Sequence, residues 1–304
     1  MEHEAQTSGT VLMVRPAAFG FHAEAAASNA FARSSGGLST ATAEFDRVAE
    51  RLTSAGIEVL LLPDTPDPPK PDAVFPNNWV SFHGDGTMVL YPMATAARRL
   101  ERNVDGLKAV LSEAGFEISR TIDLSPHEAE GRFLEGTGSL VMDRRRRVSF
   151  ASHSIRTDES VVAEFDQALG YETFVFDAHD RRGQPIYHTN VLLSFGSGFA
   201  VLCDDVVPQE QRHGLIERIE ATGRSIIHVT YEQLRSFACN LIELKGPSGP
   251  VIALSSTALR SFSPAQRRAL ESFGDLLDAD IPTIEQVGGG SVRCMIGDVH
   301  LPRR

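Results

Sequence analysis

Val191-Leu192-Leu193-Ser194-Phe195-Gly196-Ser197-Gly198-Phe199-Ala200-Val201-Leu202 reads as two short strands joined by a glycine turn. Short apolar runs bounded by glycine signal a hairpin. A helical stretch follows from Gln209 to Ala221, and Gly223 then opens a further apolar run, Arg224-Ser225-Ile226-Ile227. Glycine just past a helix end is the expected left-handed stop. The stretch spells strand, strand, helix, strand.

The same word recurs. Asn78-Trp79-Val80-Ser81-Phe82 passes through His83-Gly84-Asp85-Gly86 to Met88-Val89-Leu90-Tyr91, and Ser139-Leu140-Val141-Met142 passes through Arg144 to Arg147 to reach Val148-Ser149-Phe150. Asn240-Leu241-Ile242-Glu243-Leu244 passes through Gly246-Pro247-Ser248-Gly249 to Val251-Ile252-Ala253-Leu254. Helical stretches are expected at Ala41 to Ser54, Arg98 to Ala114, Glu159 to Leu169 and Pro264 to Leu277, the last opened by Ser263-Pro264 as cap and first helical residue. Gly56, Gly115 and Gly170 repeat the stop into a strand. The period is roughly 50 to 60 residues, in the range of repeat architectures. The expected fold is α/β: five ββαβ units around a common axis, in one domain over residues 1–304 with a short polar tail at 1–9. The first unit is split, with Val11-Leu12-Met13-Val14 opening the chain and Val292 to Leu301 closing it. The competing architecture is an ordinary α/β sheet with coincidental punctuation.

Composition narrows the function. There are 29 basic and 40 acidic residues, a net charge of −11. That disfavours nucleic acid, whose binding needs a basic footprint. The arginine run at 144–147 sits between two strands and reads as a charged turn. Three cysteines, Cys203, Cys239 and Cys294, make no disulfide framework and point to a reducing compartment. No CxxC or HExxH spacing supports a metal site. The polar start, Met1-Glu2-His3-Glu4, lacks a secretion signal, and no apolar run is long enough to span a bilayer. A cytoplasmic protein is expected, with no cofactor, no metal, no membrane and no nucleic acid. Its partner is a small-molecule substrate; a homo-oligomer is left open.

Four islands carry polar chemistry: Asp72-Ala73-Val74-Phe75-Pro76-Asn77-Asn78-Trp79, Leu134-Glu135-Gly136-Thr137-Gly138-Ser139, Tyr187-His188-Thr189-Asn190, and Gly288-Gly289-Gly290-Ser291-Val292-Arg293-Cys294. Each lies where a connection enters the first strand of a unit. Equivalent positions of a pseudo-symmetric fold share one end, so the islands should meet near the axis, where a ligand pocket belongs. A thiolate can attack carbon, a histidine can move a proton, a carboxylate can orient that histidine, and an asparagine offers both donor and acceptor. On the local signal alone Cys294 reads equally as a nucleophile or as a small buried hydrophobe on a terminal strand.

Taken together the islands resemble those of the guanidine-modifying, or pentein, superfamily: arginine deiminase, dimethylarginine dimethylaminohydrolase and the amidinotransferases. The chain is most similar to the citrulline-utilisation, amidinotransferase-like hydrolases, from Val11 to Pro302. The resemblance implies a five-bladed α/β propeller of ββαβ units. It implies Cys294 as covalent nucleophile, His188 as general acid/base and Glu135 as the acidic partner. Asp72 and Phe75 match a substrate-lining Asp-x-x-Phe, and Arg98 or Arg99, with Arg156, match carboxylate-binding arginines.

The departures from those relatives are informative. Guanidine hydrolases carry a carboxylate after the Phe motif, where this chain has Asn77-Asn78. Deiminases carry His-x-Asp, where it has His188-Thr189-Asn190. A cationic guanidinium would lose charge-assisted bonds there, each worth about 1.5–3 kcal/mol; a neutral ureido group would not. Asn77, Asn78 and Asn190 are therefore read as substrate-binding, and Asn78 and Asn190 as the residues that favour a ureido group. The expected enzyme is a cysteine hydrolase of the C–N bond of a ureido or guanidino amino acid, first of all citrulline to ornithine, ammonia and carbon dioxide. Arginine deiminase, an amidinotransferase and a non-catalytic amino-acid-binding propeller are the alternatives.

Overall fold

Five three-stranded sheets are arranged as the blades of an α/β propeller. The computed structural model describes residues 4–32 and 37–304. Blade I holds β1 (Thr10–Arg15) and β2 (Glu58–Pro63). Blade II holds β3 (Val80–Phe82), β4 (Thr87–Leu90) and β5 (Arg120–Asp123). Blade III holds β6 (Val141–Asp143), β7 (Val148–Ser152) and β8 (Glu172–Phe176). Blade IV holds β9 (Leu193–Phe195), β10 (Phe199–Leu202) and β11 (Ser225–His228). Blade V holds β12 (Ile242–Lys245), β13 (Pro250–Ser255) and β14 (Asp275–Ala279). The last strand, β15 (Gly297–Asp298), returns to complete blade I. In every blade the first two strands are antiparallel and the third lies parallel to the second. A parallel neighbour needs a crossover, and a helix supplies it: α1 (Leu38–Ser54), α2 (Val104–Glu113), α3 (Glu159–Leu169), α4 (Gln209–Ala221) and α5 (Pro264–Glu271) in blades I to V.

Local sequence explains these elements. Helix α1 buries Ala41, Phe45, Val48 and Leu52, one stripe at helical spacing, against Val11 and Met13 of β1. The stops at Gly56, Gly115, Gly170 and Gly223 all have left-handed backbone, with φ of 78°, 79°, 69° and 78°. Ser263 caps α5 in a capping box with Gln266.

Two expected helices are corrected. Arg98 to Ala114 is not continuous: a short turn at Ala96–Arg99 ends before Asn103, whose side chain caps α2 by accepting from the Gly106 N–H. Pro264 to Leu277 overruns. The helix ends at Glu271, and Asp275–Ala279 pairs with β13 as the third strand of its blade, Val251 opposite Asp275. Its leucines satisfy a helical stripe as well as a strand, and only the parallel partner decides between them.

The first strands of adjacent blades meet, β15 with β3, β6 with β9 and β9 with β12, so they line the axis. The chain's two ends close the ring. Val11 pairs with Asp298 and Leu12 with Gly297. Residues 1–3 of the expected tail lie outside the described residues, while residues 4–9 are held in place. Gln6 exchanges two hydrogen bonds with blade III, to the Met142 carbonyl (2.9 Å) and from the Arg144 N–H (3.0 Å). The arginine run is a hairpin turn, yet Arg144 is buried: it donates to Glu4 at 2.7 Å, the Phe82 carbonyl at 2.9 Å and Asp298 at 2.9 Å, tying blades I, II and III together. Among the described residues no helix is long and apolar enough to cross a membrane.

Ending the chain at about residue 285 would remove β15 and the buried Val292, Met295 and Ile296, and would bare the edge of β1. Such a truncation is expected to aggregate or to lose its cooperative unfolding transition. A soluble product with native circular dichroism would contradict closure through the C-terminus.

Candidate active site

Glu135 is the centre of a buried charged cluster. It precedes a tight turn at Gly136, whose φ of 45° suits glycine and where a Cβ would run into the Asn77 carbonyl. One carboxylate oxygen accepts from the Ala94 N–H at 3.0 Å. The other faces His188 Nε2 at 2.8 Å, Arg156 Nη1 at 3.2 Å and Arg98 Nη1 at 3.7 Å. Burial pushes the Glu135 carboxyl up, but Arg156, His188 and Arg98 outweigh it and hold it well below the usual carboxylate range. Burial, resisted by Glu135, lowers His188 to about 4. The resting pair is therefore an ionised Glu135 beside a neutral His188. An ionised carboxylate only accepts, so Nε2 carries the imidazole proton and Nδ1 is left as the base.

This cluster also stabilises the fold. Glu135→Gln would leave two buried arginines short of their counter-charge and is expected to cost about 3–5 kcal/mol by urea unfolding at neutral pH. The folded carboxyl is depressed, so its contribution is full above the ordinary carboxylate range and is lost as pH falls through the folded value. The difference between wild type and variant should therefore shrink below roughly pH 4.

Arg98 is 3% exposed, and protein groups occupy it. It grips Glu101 through Nε and Nη2, both at 3.0 Å, and donates to the Phe75 carbonyl at 3.2 Å. Its Nη1 donates to Asn78 Oδ1 at 2.8 Å. A guanidinium has no acceptor, so the Asn78 amide can only present its oxygen to Arg98. The Asn78 Nδ2 is then left buried with no partner among the described residues, and Asn78 lines a cavity. Gly138 must be glycine here, because a Cβ would run into both Asn78 Nδ2 and His188 Nδ1.

The cavity is small, about 20 Å³, and brings together Asp72, Phe75, Asn78, Arg98, Arg156, His188 and Cys294. The triple glycine forms one wall. A Cβ on Gly288 or Gly290 would collide with the Phe75 ring, and Gly289 has φ 67°. Cys294 is 3% exposed. Its sulfur lies 3.3 Å from Asn240 Nδ2 and 3.6 Å from Asn190 Nδ2. The other thiols are closed off: burial pushes Cys203 up to about 12 and Cys239 well above its usual value.

Three expected residues lie elsewhere. Arg99 is outside the cavity: it bonds the Met93 carbonyl at 3.1 Å and approaches Glu128 at 3.5 Å, because successive helical residues face different ways. Asn77 is fully buried and uses its amide on Thr137 Oγ1 at 3.2 Å, as part of the turn. Asn190 reaches the sulfur and the Thr137 carbonyl (3.2 Å) from behind the cavity wall. Arg156 does line the cavity, but it donates to the Ala25 carbonyl at 2.9 Å and Ser28 Oγ at 2.7 Å, drawing residues 25–29 over the opening.

Several site residues escape a reading of the sequence. Asn240, Glu101, Asn29, Tyr187 and His22 all touch the site. Asn29 Nδ2 donates to the Gly289 carbonyl at 3.1 Å, as does the Tyr187 hydroxyl at 2.6 Å, and His22 Nδ1 faces Asp72 at 2.9 Å. Two of them had a usable signal: Asn240 enters blade V where Asn190 enters blade IV, and Tyr187 opens the island that holds His188.

The family model described as N,N dimethylarginine dimethylhydrolase, eukaryotic, matches residues 15–301. The chain belongs to that family. With it goes membership of the pentein superfamily of guanidino-modifying enzymes. No protein with a curated description matches the sequence. Among solved structures, the N-terminal domain of ArgZ, a cyanobacterial arginine dihydrolase, captured with substrate in a cysteine-to-serine variant, superposes with a TM-score of 0.75 at 18% identity, covering 95% of this chain and 97% of that one. Against full-length ArgZ the chain covers 41% of that protein. The Pseudomonas aeruginosa family member, a cysteine-to-serine variant with citrulline bound, superposes at 0.67 with 15% identity, covering 97% and 100%. At these identities the structural likeness shows the fold.

Proposed function

We propose that this protein hydrolyses the ureido C–N bond of citrulline, yielding ornithine, ammonia and carbon dioxide, through a covalent intermediate on Cys294. The observation that carries the substrate reading is Asn78, a cavity-lining residue whose oxygen is taken by Arg98 and whose Nδ2 has no partner among the described residues. It is a donor. A ureido carbonyl offers it an acceptor; a guanidinium, all donors, leaves it unpaired. Membership of a family that acts on arginine-type substrates supports the reaction class.

In this mechanism His188 Nδ1 takes the thiol proton and the thiolate attacks the ureido carbon. The Asn78 amide donates to the oxygen as it gains charge. Ionised Glu135 stabilises the imidazolium, which returns its proton to the departing nitrogen of ornithine. A water activated by the same imidazole then cleaves the carbamoyl thioester, and the carbamate released breaks down to ammonia and carbon dioxide. No step needs a metal, so activity is expected to survive exhaustive dialysis against a chelator. Loss restored by zinc or manganese would refute that.

A second reading has one observation in its favour. Asp72 lines the cavity as a carboxylate, a fit for a cationic substrate, and the superposed ArgZ is an arginine dihydrolase. Product ratios separate the two. The citrulline hydrolase releases one ammonia per ornithine and leaves arginine unchanged; a dihydrolase releases two per ornithine from arginine. Release of ornithine from neither compound, with no ammonia or citrulline from arginine, would leave a binding protein; citrulline and ammonia from arginine would leave a deiminase.

A further inference from the structure

The mechanism above leaves unused the residue nearest the Cys294 sulfur. Asn240 is fully buried, and its Nδ2 lies 3.3 Å from that sulfur. The same nitrogen donates to the Asn190 carbonyl at 3.1 Å, which can only accept, so the orientation of the amide is settled. Its Oδ1 has no partner among the described residues. A residue kept only for packing would not be asparagine here. An unpaired buried oxygen is destabilising, so the amide is accounted for by what its Nδ2 reaches, the Asn190 carbonyl and the Cys294 sulfur.

The backbone supports the placement. Three residues earlier Phe237 has φ 59°, a left-handed conformation that a bulky side chain rarely adopts. Its carbonyl accepts from the Asn240 N–H at 2.8 Å. The Phe237 ring lies 5.1 Å from Phe31, which anchors the bend. The strained turn aims Asn240 at the axis just before β12. Asn190 arrives at the sulfur from the equivalent position before β9, so two blades each deliver one amide N–H.

We infer that Asn240 is a catalytic residue that donates a hydrogen bond to the Cys294 thiolate and holds it in place for attack. The inference rests on Cys294 being the nucleophile of the proposed reaction, and it does not depend on which substrate is taken. Donors lower the free energy of an anion more than that of a thiol. The other titratable groups around the cavity are Asp72, Arg98, Arg156, Tyr187 and His188. They are common to wild type and variant, so comparing the two isolates the amide.

The test is the pH profile of iodoacetamide alkylation at Cys294, followed by peptide mass, in wild type and Asn240→Leu, with kcat and KM measured beside it. The alkylation midpoint is expected to rise by about one pH unit, the free-energy equivalent of one charge-assisted bond. At neutral pH kcat should fall roughly tenfold or more, with KM changed by less than about twofold; thermal stability should fall modestly, because the Asn190 carbonyl loses its donor. Asn240→Ser, which keeps a shorter donor, should fall between, and it serves as the test if the leucine variant does not fold. A folded variant with wild-type alkylation profile and kcat would overturn the inference. A shifted profile in a protein inert to citrulline and arginine alike would sink the substrate reading and leave Asn240's role standing.

Discussion

Cys294→Ser is expected to lose turnover by roughly 10⁴-fold or more, the scale seen when a covalent nucleophile is removed, while unfolding within about 1 kcal/mol of wild type. The hydroxyl proton is far harder to remove than a thiol's, so the neutral imidazole of His188 cannot generate the alkoxide at useful concentration. The serine oxygen can accept from the Asn240 and Asn190 amides that now face the sulfur at 3.3 and 3.6 Å, so the site keeps its shape. No other thiol can substitute. Cys203 and Cys239 are buried in the core between blades, and burial holds both in the protonated form. The measurement is single-turnover release of ornithine, with mass spectrometry for an adduct on Cys294. A folded serine variant with substantial activity would end the covalent mechanism.

Asn78→Asp should reverse the substrate preference. In the wild type Arg98 takes Oδ1 and leaves the NH₂ for the substrate. Aspartate keeps the contact with Arg98 and replaces the donor by a second acceptor. Against a ureido oxygen that is acceptor on acceptor. Losing one preorganised donor to a developing oxyanion costs about 10²–10³ in kcat, so citrulline turnover should fall by that much. Against a guanidinium the new carboxylate gains a charge-assisted bond of about 1.5–3 kcal/mol. Arginine should then bind about tenfold tighter or more, whether or not it is turned over. The ratio of kcat/KM for citrulline and the inhibition constant for arginine report both effects. If the wild type already prefers arginine, the amide argument is wrong and the dihydrolase reading replaces it. Asn190→Asp is the poorer test of preference, since that amide faces the sulfur rather than the cavity. A carboxylate there would disfavour the thiolate itself.

Local chemistry made most of the architecture legible. Hairpin turns and left-handed glycine stops are decided by neighbours in sequence, so β9–β10, α4 and the stop at Gly223 could be read directly. So could the split first blade, because Val11 to Val14 and the residues after Val292 each lacked a partner nearby. Asp275–Ala279 could not, because its leucines suit helix and strand alike until β13 lies beside it.

The site divides along the same line. Residue types made Cys294, His188 and Glu135 candidates, because thiol, imidazole and carboxylate can carry chemistry; the repeat placed their loops at one end of the axis, and the resemblance to a known family implied their roles. Which neighbours share that end is a matter of direction, and direction is set by packing. Arg98 and Arg99 are adjacent in sequence, yet one grips Glu101 and turns the Asn78 amide while the other leaves for Glu128. Asn77 and Asn78 differ in the same way, one consumed by its own turn and one held by Arg98 in the cavity lining. Asn240 is an ordinary asparagine in sequence; only the ring of blades brings it to within 3.3 Å of the sulfur, 54 residues away along the chain. The sequence by itself determined the repeat, since hairpin turns and glycine stops follow from local covalent chemistry, and it offered the candidate reacting groups. The tertiary structure alone decided which amide hydrogens face the thiol and which amide oxygen Arg98 takes, because hydrogen-bond direction exists only once all partners are in place.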